Sequence, residues 1–438
     1  MALKTFPGGV HPPDNKQWSA HLPIEECPLP NELVIPLSQH IGAPAELCVD
    51  VGACVGKGDL LGRAKGFVSV PVHASTSGEV VAVEARPHPS GRDLPAIILR
   101  PDGEDRWGEI LPEVAPESLT REQTLDRIRD AGVVGMGGAT FPAHVKLMPP
   151  EDKPIDTLIL NGVECEPYLT ADHRLMLERP ERIVVGAEEV ANLLGVSKLF
   201  IGIENNKPDA IETMREAARD SRLKVVPLQV KYPQGAEKQL IKAILGREVP
   251  SGGLPMDVGV VVQNVGTIAA LHQAVKHGMP LIERITTVTG PGIATPKNLR
   301  VRIGTPLQHL VEYCGGTTDD PGKLIMGGPM MGMALLNLEV PVTRGTSGLL
   351  LLREKDVAAR AEGPCIRCAR CVLHCPAHLL PTAIAASARL EMFDQAAELR
   401  ALDCIECGCC SFDCPAALPL VQSIRTAKAA IIAARRKA

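Results

Sequence analysis

The chain has 438 residues, and a prior of roughly 100–200 residues per domain gives about three domains. Aromatic residues are only 3% of it, so its cores must be built mainly from Val, Leu, Ile and Ala. A formal net charge of -5 offers a polyanion no basic surface, so nucleic acid is not an expected partner.

No transmembrane span or secretory signal is expected. The apolar stretch 256–271 is interrupted by Asp257, Gln263 and Asn264, and 349–352 is far short of the ~20 residues a spanning helix needs. The opening MALKTFPGGVHPP has no apolar run of signal-peptide length. Membrane association is therefore expected to come through a partner.

In chain order, residues 36–99 read as strands and turns, with Gly52, Gly58, Gly62, Gly66 and Gly78 punctuating short runs such as 67–72 and 79–83. That pattern predicts a small β-barrel or sandwich. It resembles the barrel-sandwich shape of lipoyl and biotinyl carriers. The Met-Lys-Met tip of a carrier is missing, so no lipoylated lysine is expected, and His73 is read as structural.

From 120 to 271 the pattern turns to α/β. Strand-like runs at 157–160, 198–203 and 224–228 alternate with amphipathic stretches at 180–194 and 209–219, which predicts βαβ units and a partly parallel sheet. Two segments here could carry chemistry. The first is 132–147, GVVGMGGATFPAHVKL. Gly135, Gly137 and Gly138 would let the backbone approach a phosphate, and Lys146 adds charge. It is not a dinucleotide fingerprint, because Thr140 stands where the last glycine would be; taken alone, a structural turn is at least as good a reading. The second is NGVECEP, 161–167, at a strand end, where ligands collect in α/β sheets. Asn161, Glu164 and Glu166 could bind a ribityl chain, an isoalloxazine edge or a ribose; a capped, solvated loop is the alternative.

From about 286 to 336 short strands surround a helical stretch at 306–313, which suits a β-grasp unit. The run MGGPMMG, 326–332, is as good a turn as a ligand contact.

The last segment is the most informative. Of 14 cysteines, nine lie between Cys365 and Cys414, and without a secretory signal that clustering reads as metal ligation. Cys365, Cys368, Cys371 and Cys375 precede Pro376; Cys404, Cys407, Cys410 and Cys414 precede Pro415. Both runs follow C-x2-C-x2-C-x3-C-P, and each cysteine of the second lies 39 residues after its counterpart. In the two-cluster pattern the fourth cysteine of each run serves the other cluster. This assigns Cys365, Cys368, Cys371 and Cys414 to one [4Fe-4S] cluster and Cys404, Cys407, Cys410 and Cys375 to the other. Zinc sites instead pair two C-x2-C units. Cys409 falls outside the spacing and is read as a buried filler or spare thiol. The intervening stretch 381–402 and the tail 418–438 carry helical patterns, so the cysteines are expected on loops between helices.

GMGGATFPAHVKL followed by NGVECEP resembles the NADH- and flavin-binding subunit of respiratory complex I. The opening FPGGVHPPDNK, the barrel ahead of the flavin segment and the closing cysteine repeat make the chain closer still to the C subunit of Rnf (Rsx) electron transport complexes. The resemblance covers nearly the whole chain. It implies that Gly135, Gly137, Gly138 and Lys146 cradle the phosphate and ribityl chain of FMN. Asn161, Glu164 and Glu166 would line the flavin and nicotinamide pocket. Phe141 would stack on NADH, Gly235 and Glu237 of YPQGAEKQ would give the second acidic contact, and Asn264 of QNVGT would sit beside the flavin. The chain departs from the complex I pattern at Val163, where that subunit has Asp, and at Ala236, where it has an acidic residue.

The expected architecture is multidomain α/β plus β. It has a barrel-sandwich domain (1–118), an FMN/NADH-binding α/β domain (119–280), a β-grasp-like SLBB domain (281–354) and a helical domain of two [4Fe-4S] clusters (355–438). A hydride carries two electrons and a cluster accepts one, so a flavin is the converter such a chain needs. The resemblance further implies a peripheral subunit on the cytoplasmic face of the bacterial inner membrane. Its partners would be NADH, ferredoxin or another electron carrier, and the integral-membrane and iron–sulfur subunits of one complex. The rival readings are a flavin-free iron–sulfur relay, a cobalamin-reductase-like flavoprotein and a zinc protein.

Overall fold

The computed structural model describes residues 3–318, 320–357 and 361–437. The N-terminal β unit contains two sheets. One runs Leu33–Pro36, Asp93–Pro101, Gly78–Pro87, Cys54–Val55; the other runs Glu46–Leu47, Leu60–Arg63, Val72–His73. Leu33, Ile35, Leu61, Val72, Val80, Ile97 and Leu99 fill the space between them. The residues ahead of this unit run outside it. Lys4 and Val10 bridge to Leu228 and Tyr232, and Ile24–Glu26 pairs in parallel with Lys297–Arg302. The first residues are thus a strap across two later domains.

The α/β unit is a four-stranded parallel sheet in the order Leu223–Leu228, Lys198–Glu204, Thr157–Asn161, Val260–Asn264. Its strands are apolar almost throughout, as burial on both faces requires. Helices Pro180–Leu194 and Val265–His277 pack together over one face, joined in a single core with Leu158, Leu160 and Ile201. Helix Glu237–Leu245 covers the other face through Leu240, Ile241 and Ile244. The strand Val260–Asn264 falls in the stretch that the sequence flagged only for hydropathy. The sheet grows outward in both directions from Thr157–Asn161, so the strand order reverses between it and Val260–Asn264. The crevice beyond the carboxyl ends of those strands is where a ligand is received.

A third unit has a six-stranded sheet in the order Ile24–Glu26, Lys297–Arg302, Glu283–Thr289, Gly348–Arg353, Pro321–Met326, Met333–Leu335, with helix Leu307–Tyr313 packed on it through Leu307, Leu310 and Val311.

The last unit is helical, as expected, with two differences. The stretch 381–402 is not continuous: Pro381–Arg389 and Phe393–Glu398 are separate helices, divided at Glu391, whose φ is 55°. The third cysteine of each run sits not on a loop but in a one-turn helix, Arg370–Leu373 or Cys409–Phe412. Helix Leu420–Lys437 closes the unit, with Ile424, Ala427 and Ile431 against Ile384, Ala388 and Ala396. No described helix is long and apolar enough to cross a membrane.

Candidate functional site

The glycine-rich loop lies at the reversal point of the parallel sheet. Gly135 N–H donates to the Phe141 carbonyl at 2.9 Å and closes the loop. A Cβ on Gly137 would come within 2.8 Å of the Asn264 Cβ, so only glycine lets the loop pass that strand end. At Gly138 a Cβ would meet nothing within 4 Å, so this residue borders open space. The loop is held from behind by Met136, whose N–H donates to Thr267 Oγ1 at 2.9 Å and whose carbonyl accepts from Arg284 Nη2 at 3.1 Å. Arg284 comes from the six-stranded sheet, so two domains fix this loop.

Asn161 and Asn264 are register partners at adjacent strand ends. Asn161 Nδ2 donates to the Gly235 carbonyl at 2.8 Å. Asn264 Oδ1 accepts from the N–H groups of Gly266 and Thr267, capping helix Val265–His277, and Nδ2 donates to Asp172 Oδ2 at 2.6 Å. Lys146 and Glu237 form an ion pair across the crevice. The structure therefore brings together Gly135 with Phe141, Gly137 with Asn264, Asn161 with Gly235, and Lys146 with Glu237.

The two acidic residues of NGVECEP diverge from one another. Glu164, at φ 48°, accepts from the N–H groups of Asp172 and His173 at 2.8 and 3.2 Å, so its carboxylate caps helix Ala171–Glu178. Glu166 faces the 326–332 loop, accepting from the N–H groups of Met330 at 3.1 Å and Met331 at 2.9 Å and from Tyr232 Oη at 3.3 Å. Burial pushes its carboxyl above the usual carboxylate range against these three bonds. A Cβ on Gly328 would reach within 2.2 Å of Glu166 Oε2, so a glycine of the MGGPMMG run is what allows this approach.

Sequence reasoning missed Asp172, Arg284, Tyr232 and Gln234. Asp172 sits between Asn264 and the Glu164 carboxylate, and burial together with that neighbour raises its carboxyl to about 7. Gln234, fully buried between Tyr232 and Gly235, has neither amide atom partnered. Asp172, Arg284 and Tyr232 act through long-range contacts that leave no local mark, whereas Gln234 stands inside YPQGAEKQ, beside the Gly235 that the sequence singles out.

Cysteines of the two runs approach one another in the helical unit. Five cysteines, Cys375, Cys404, Cys407, Cys409 and Cys410, line one cavity, walled by Leu379, Ile405, Val421 and Ile424. Cys371 and Cys414 pack together beside Cys410, and Cys365 and Cys368 are exposed. The fourth cysteine of the first run lines the cavity of the second run, and the fourth of the second run packs with Cys371 and with Cys410. Burial pushes the Cys404 thiol up to about 11 and Cys410 up to about 12, so metal loading there must release protons. Cys409 is fully buried and donates to the Tyr232 carbonyl at 3.8 Å, tying this group to the α/β unit.

These residues fit the groups the fold implies. The orphaned Gln234 amide calls for a partner that the polypeptide does not supply, and Gly138 and Lys146 flank open crevice. Cys375, Cys404, Cys407 and Cys410, once deprotonated, would be the donor set of an iron–sulfur cluster in this apolar cavity. Fold and site define a flavin-domain protein joined to a dicluster iron–sulfur unit.

Family models match along the chain in that order: the RnfC barrel sandwich hybrid domain at 4–104, the Nuo51 FMN-binding domain at 128–273, the SLBB domain at 285–334 and a 4Fe-4S dicluster domain at 364–419. The C subunit of the proton-translocating ferredoxin:NAD(+) oxidoreductase complex of Clostridium ljungdahlii is 50% identical, over 90% of this chain and 87% of that one. Its counterpart in the Na(+)-translocating ferredoxin:NAD(+) oxidoreductase complex of Acetobacterium woodii is 49% identical, over 99% and 98%. The C subunit of the ion-translocating oxidoreductase complex of Rhodobacter capsulatus is 47% identical, over 96% and 82%. The fold alone is shared with an NAD+-reducing [NiFe]-hydrogenase in its H2-reduced state, at TM-score 0.50 and 19% identity, over 74% of this chain and 68% of that one. The chain belongs to the family of C subunits of Rnf-type ion-translocating oxidoreductase complexes, and other subunits of such a complex are its partners.

Proposed function

We propose that this chain passes electrons between NADH and ferredoxin, or another one-electron carrier, through FMN and two [4Fe-4S] clusters. It would do so as a peripheral subunit on the cytoplasmic face of the bacterial inner membrane, held there by the integral-membrane and iron–sulfur subunits of its complex. Bound FMN supplies the conversion between a two-electron hydride and single electrons.

The chain's own residues do the positioning. The amides of Gly135, Gly137 and Gly138, with Lys146, hold the flavin phosphate and ribityl chain. Asn161 and Asn264 fix the two strand ends beneath it, and Gly235 lets the chain pass close to Asn161. Phe141 and Glu237 border the nicotinamide entrance, Glu164 anchors the helix behind it, and Glu166 holds the 326–332 loop against the crevice. Cys365, Cys368, Cys371 and Cys414 ligate one cluster and Cys404, Cys407, Cys410 and Cys375 the other. The observation that carries the reading is the continuity of these parts: Tyr232 bonds Glu166 through its hydroxyl and Cys409 through its carbonyl.

Anaerobic reduction by NADH, followed by flavin absorbance and by EPR, tests this. Wild-type protein is expected to bleach its flavin and reduce its clusters rapidly. Glu166→Gln loses the carboxylate that fastens the 326–332 loop and should slow cluster reduction ~10-fold or more, since small misplacements at a reacting centre have effects of this size. Equal rates would remove Glu166 from the site, and protein purified without flavin would leave only an iron–sulfur relay.

A further inference from the structure

Two arginines of one domain lie behind the glycine-rich loop, and both are buried. Arg284, in strand Glu283–Thr289, spreads its guanidinium over two carbonyls: Nη2 donates to Met136 and Nη1 to Arg344. Arg344 in turn donates from Nη2 to the Pro71 carbonyl at 2.7 Å and from its backbone N–H to Gln39 Oε1 at 3.2 Å. Its guanidinium lies against Gly132, where a Cβ would come within 2.8 Å of Nη2. A chain of contacts therefore runs from the N-terminal β unit, through the unit of the six-stranded sheet, to the middle of the loop.

The Met136 carbonyl and the Gly137 N–H belong to one peptide group. That group is planar and trans, so its C=O and N–H point in opposite directions. Arg284 draws the carbonyl inward, which turns the Gly137 N–H outward. The Met136 N–H is drawn inward as well, to Thr267 Oγ1 at 2.9 Å, so both backbone groups of this residue are fixed. Gly137 and Gly138 are exposed, and Gly137 lies against Asn264, the N-cap of the 13-residue helix Val265–His277. An amide fixed beside the positive end of a helix, with a buried guanidinium behind it, favours an anion. Asp172 offsets part of the guanidinium charge and is itself held by Asn264 Nδ2 at 2.6 Å.

We propose that Arg284 is a positioning residue for the flavin phosphate: by holding the Met136 carbonyl it presents the Gly137 N–H to that phosphate, and Arg344 ties this hold to the N-terminal β unit. This rests on the FMN reading above and adds which residue outside the flavin domain sets the loop, and for which part of the ligand. FMN and riboflavin share the isoalloxazine and ribityl groups and differ only in the phosphate, so a comparison of the two isolates that contact. A residue that merely kept the domains together would serve both flavins alike.

The test uses the full, cluster-loaded chain freed of flavin and titrated with FMN or with riboflavin, binding being followed by the quenching of flavin fluorescence. Wild type should bind FMN more tightly than riboflavin. In Arg284→Gln the FMN affinity should fall ~10-fold or more, the scale of a lost hydrogen bond to a charged group, while riboflavin affinity and iron content stay near wild type. Arg284→Lys keeps the charge but replaces the planar fork by a single ammonium. It should lose the same discrimination to a smaller degree, and it carries the test if Arg284→Gln does not accumulate. Equal loss of affinity for both flavins would reduce Arg284 to a structural role, and unchanged FMN affinity would remove it from the site. Weakened NADH binding to FMN-loaded protein, with FMN affinity intact, would place the amide at the pyrophosphate of the nucleotide. Each of these three results overturns the assignment and leaves the FMN reading standing. Wild type that binds neither flavin would strike that reading instead.

Discussion

Two neighbouring glycines separate packing from ligand contact. A Cβ at Gly137 would collide with Asn264, whose side chain caps helix Val265–His277, whereas one at Gly138 would enter open space. Gly137→Ala should therefore cost about 1–2 kcal/mol of stability, the scale of a disturbed N-cap. Gly138→Ala should unfold like wild type in denaturant yet retain less flavin on gel filtration, because its methyl group faces the crevice. A destabilised Gly138→Ala with full flavin content would reverse the two roles. Asp172 gives a pH signature. Its folded carboxyl titrates near 7, far above the usual carboxylate value of about 3.9. Between those values the native state holds a proton that the unfolded chain has released, so stability falls as pH rises through that window, and the cost persists above it. Asp172→Asn keeps an acceptor for Asn264 and removes the charge. It should be more stable than wild type by about 1–3 kcal/mol at pH 8, since a tenfold difference in proton affinity between the folded and unfolded states is worth about 1.4 kcal/mol. That gain should fade toward pH 4. A variant less stable than wild type at pH 8 would refute the buried-charge account. None of this was visible in the sequence, where TADHRLML carries no ligand spacing and the carboxyl's neighbours come from 8 and 92 residues away.

At the scale of elements, what could be read followed from periodicity. The strands at 157, 198 and 223 and the helix Pro180–Leu194 appear where alternation predicted them, because a buried parallel strand and an amphipathic helix each write their period into the chain. The strand Val260–Asn264 was hidden by its own apolarity, since a fully buried strand running straight into an apolar helix shows one continuous hydrophobic stretch. The break at Glu391 was equally silent: a non-glycine residue at positive φ leaves no compositional mark. The MGGPMMG run was ambiguous for a different reason. Its glycine is required by Glu166, which comes from another domain. Gly328→Val should displace the loop from Glu166 and raise proteolytic nicking between 326 and 332, while helix content by circular dichroism stays constant. Unchanged nicking would mean that the loop holds its place without the carboxylate.

Across the whole molecule, the repeat marks the candidate cluster ligands, but not which of them adjoin the flavin domain. That is decided by packing. The group of Cys375, Cys404, Cys407 and Cys410 lies against the N-terminal strap, Tyr232, Gln239 and Met330, while of the other four Cys371 and Cys414 are buried and Cys365 and Cys368 are exposed. Removing the shared ligands one at a time should expose this asymmetry. Cys375→Ala and Cys414→Ala should each lower iron from ~8 toward ~4 atoms per chain, because each cysteine completes a different cubane. Their responses to NADH should differ. In Cys414→Ala the surviving cluster lies against the flavin domain, and its EPR signal should appear rapidly on NADH addition. In Cys375→Ala the surviving cluster is the exposed one, separated from the flavin domain by an empty cavity; NADH should still bleach the flavin, but that signal should appear slowly. Dithionite, which reaches an exposed site from solvent, should reduce it at once and so prove that the cluster is present. The opposite ranking of the two variants toward NADH would place the exposed group next to the flavin and contradict the order that the packing defines.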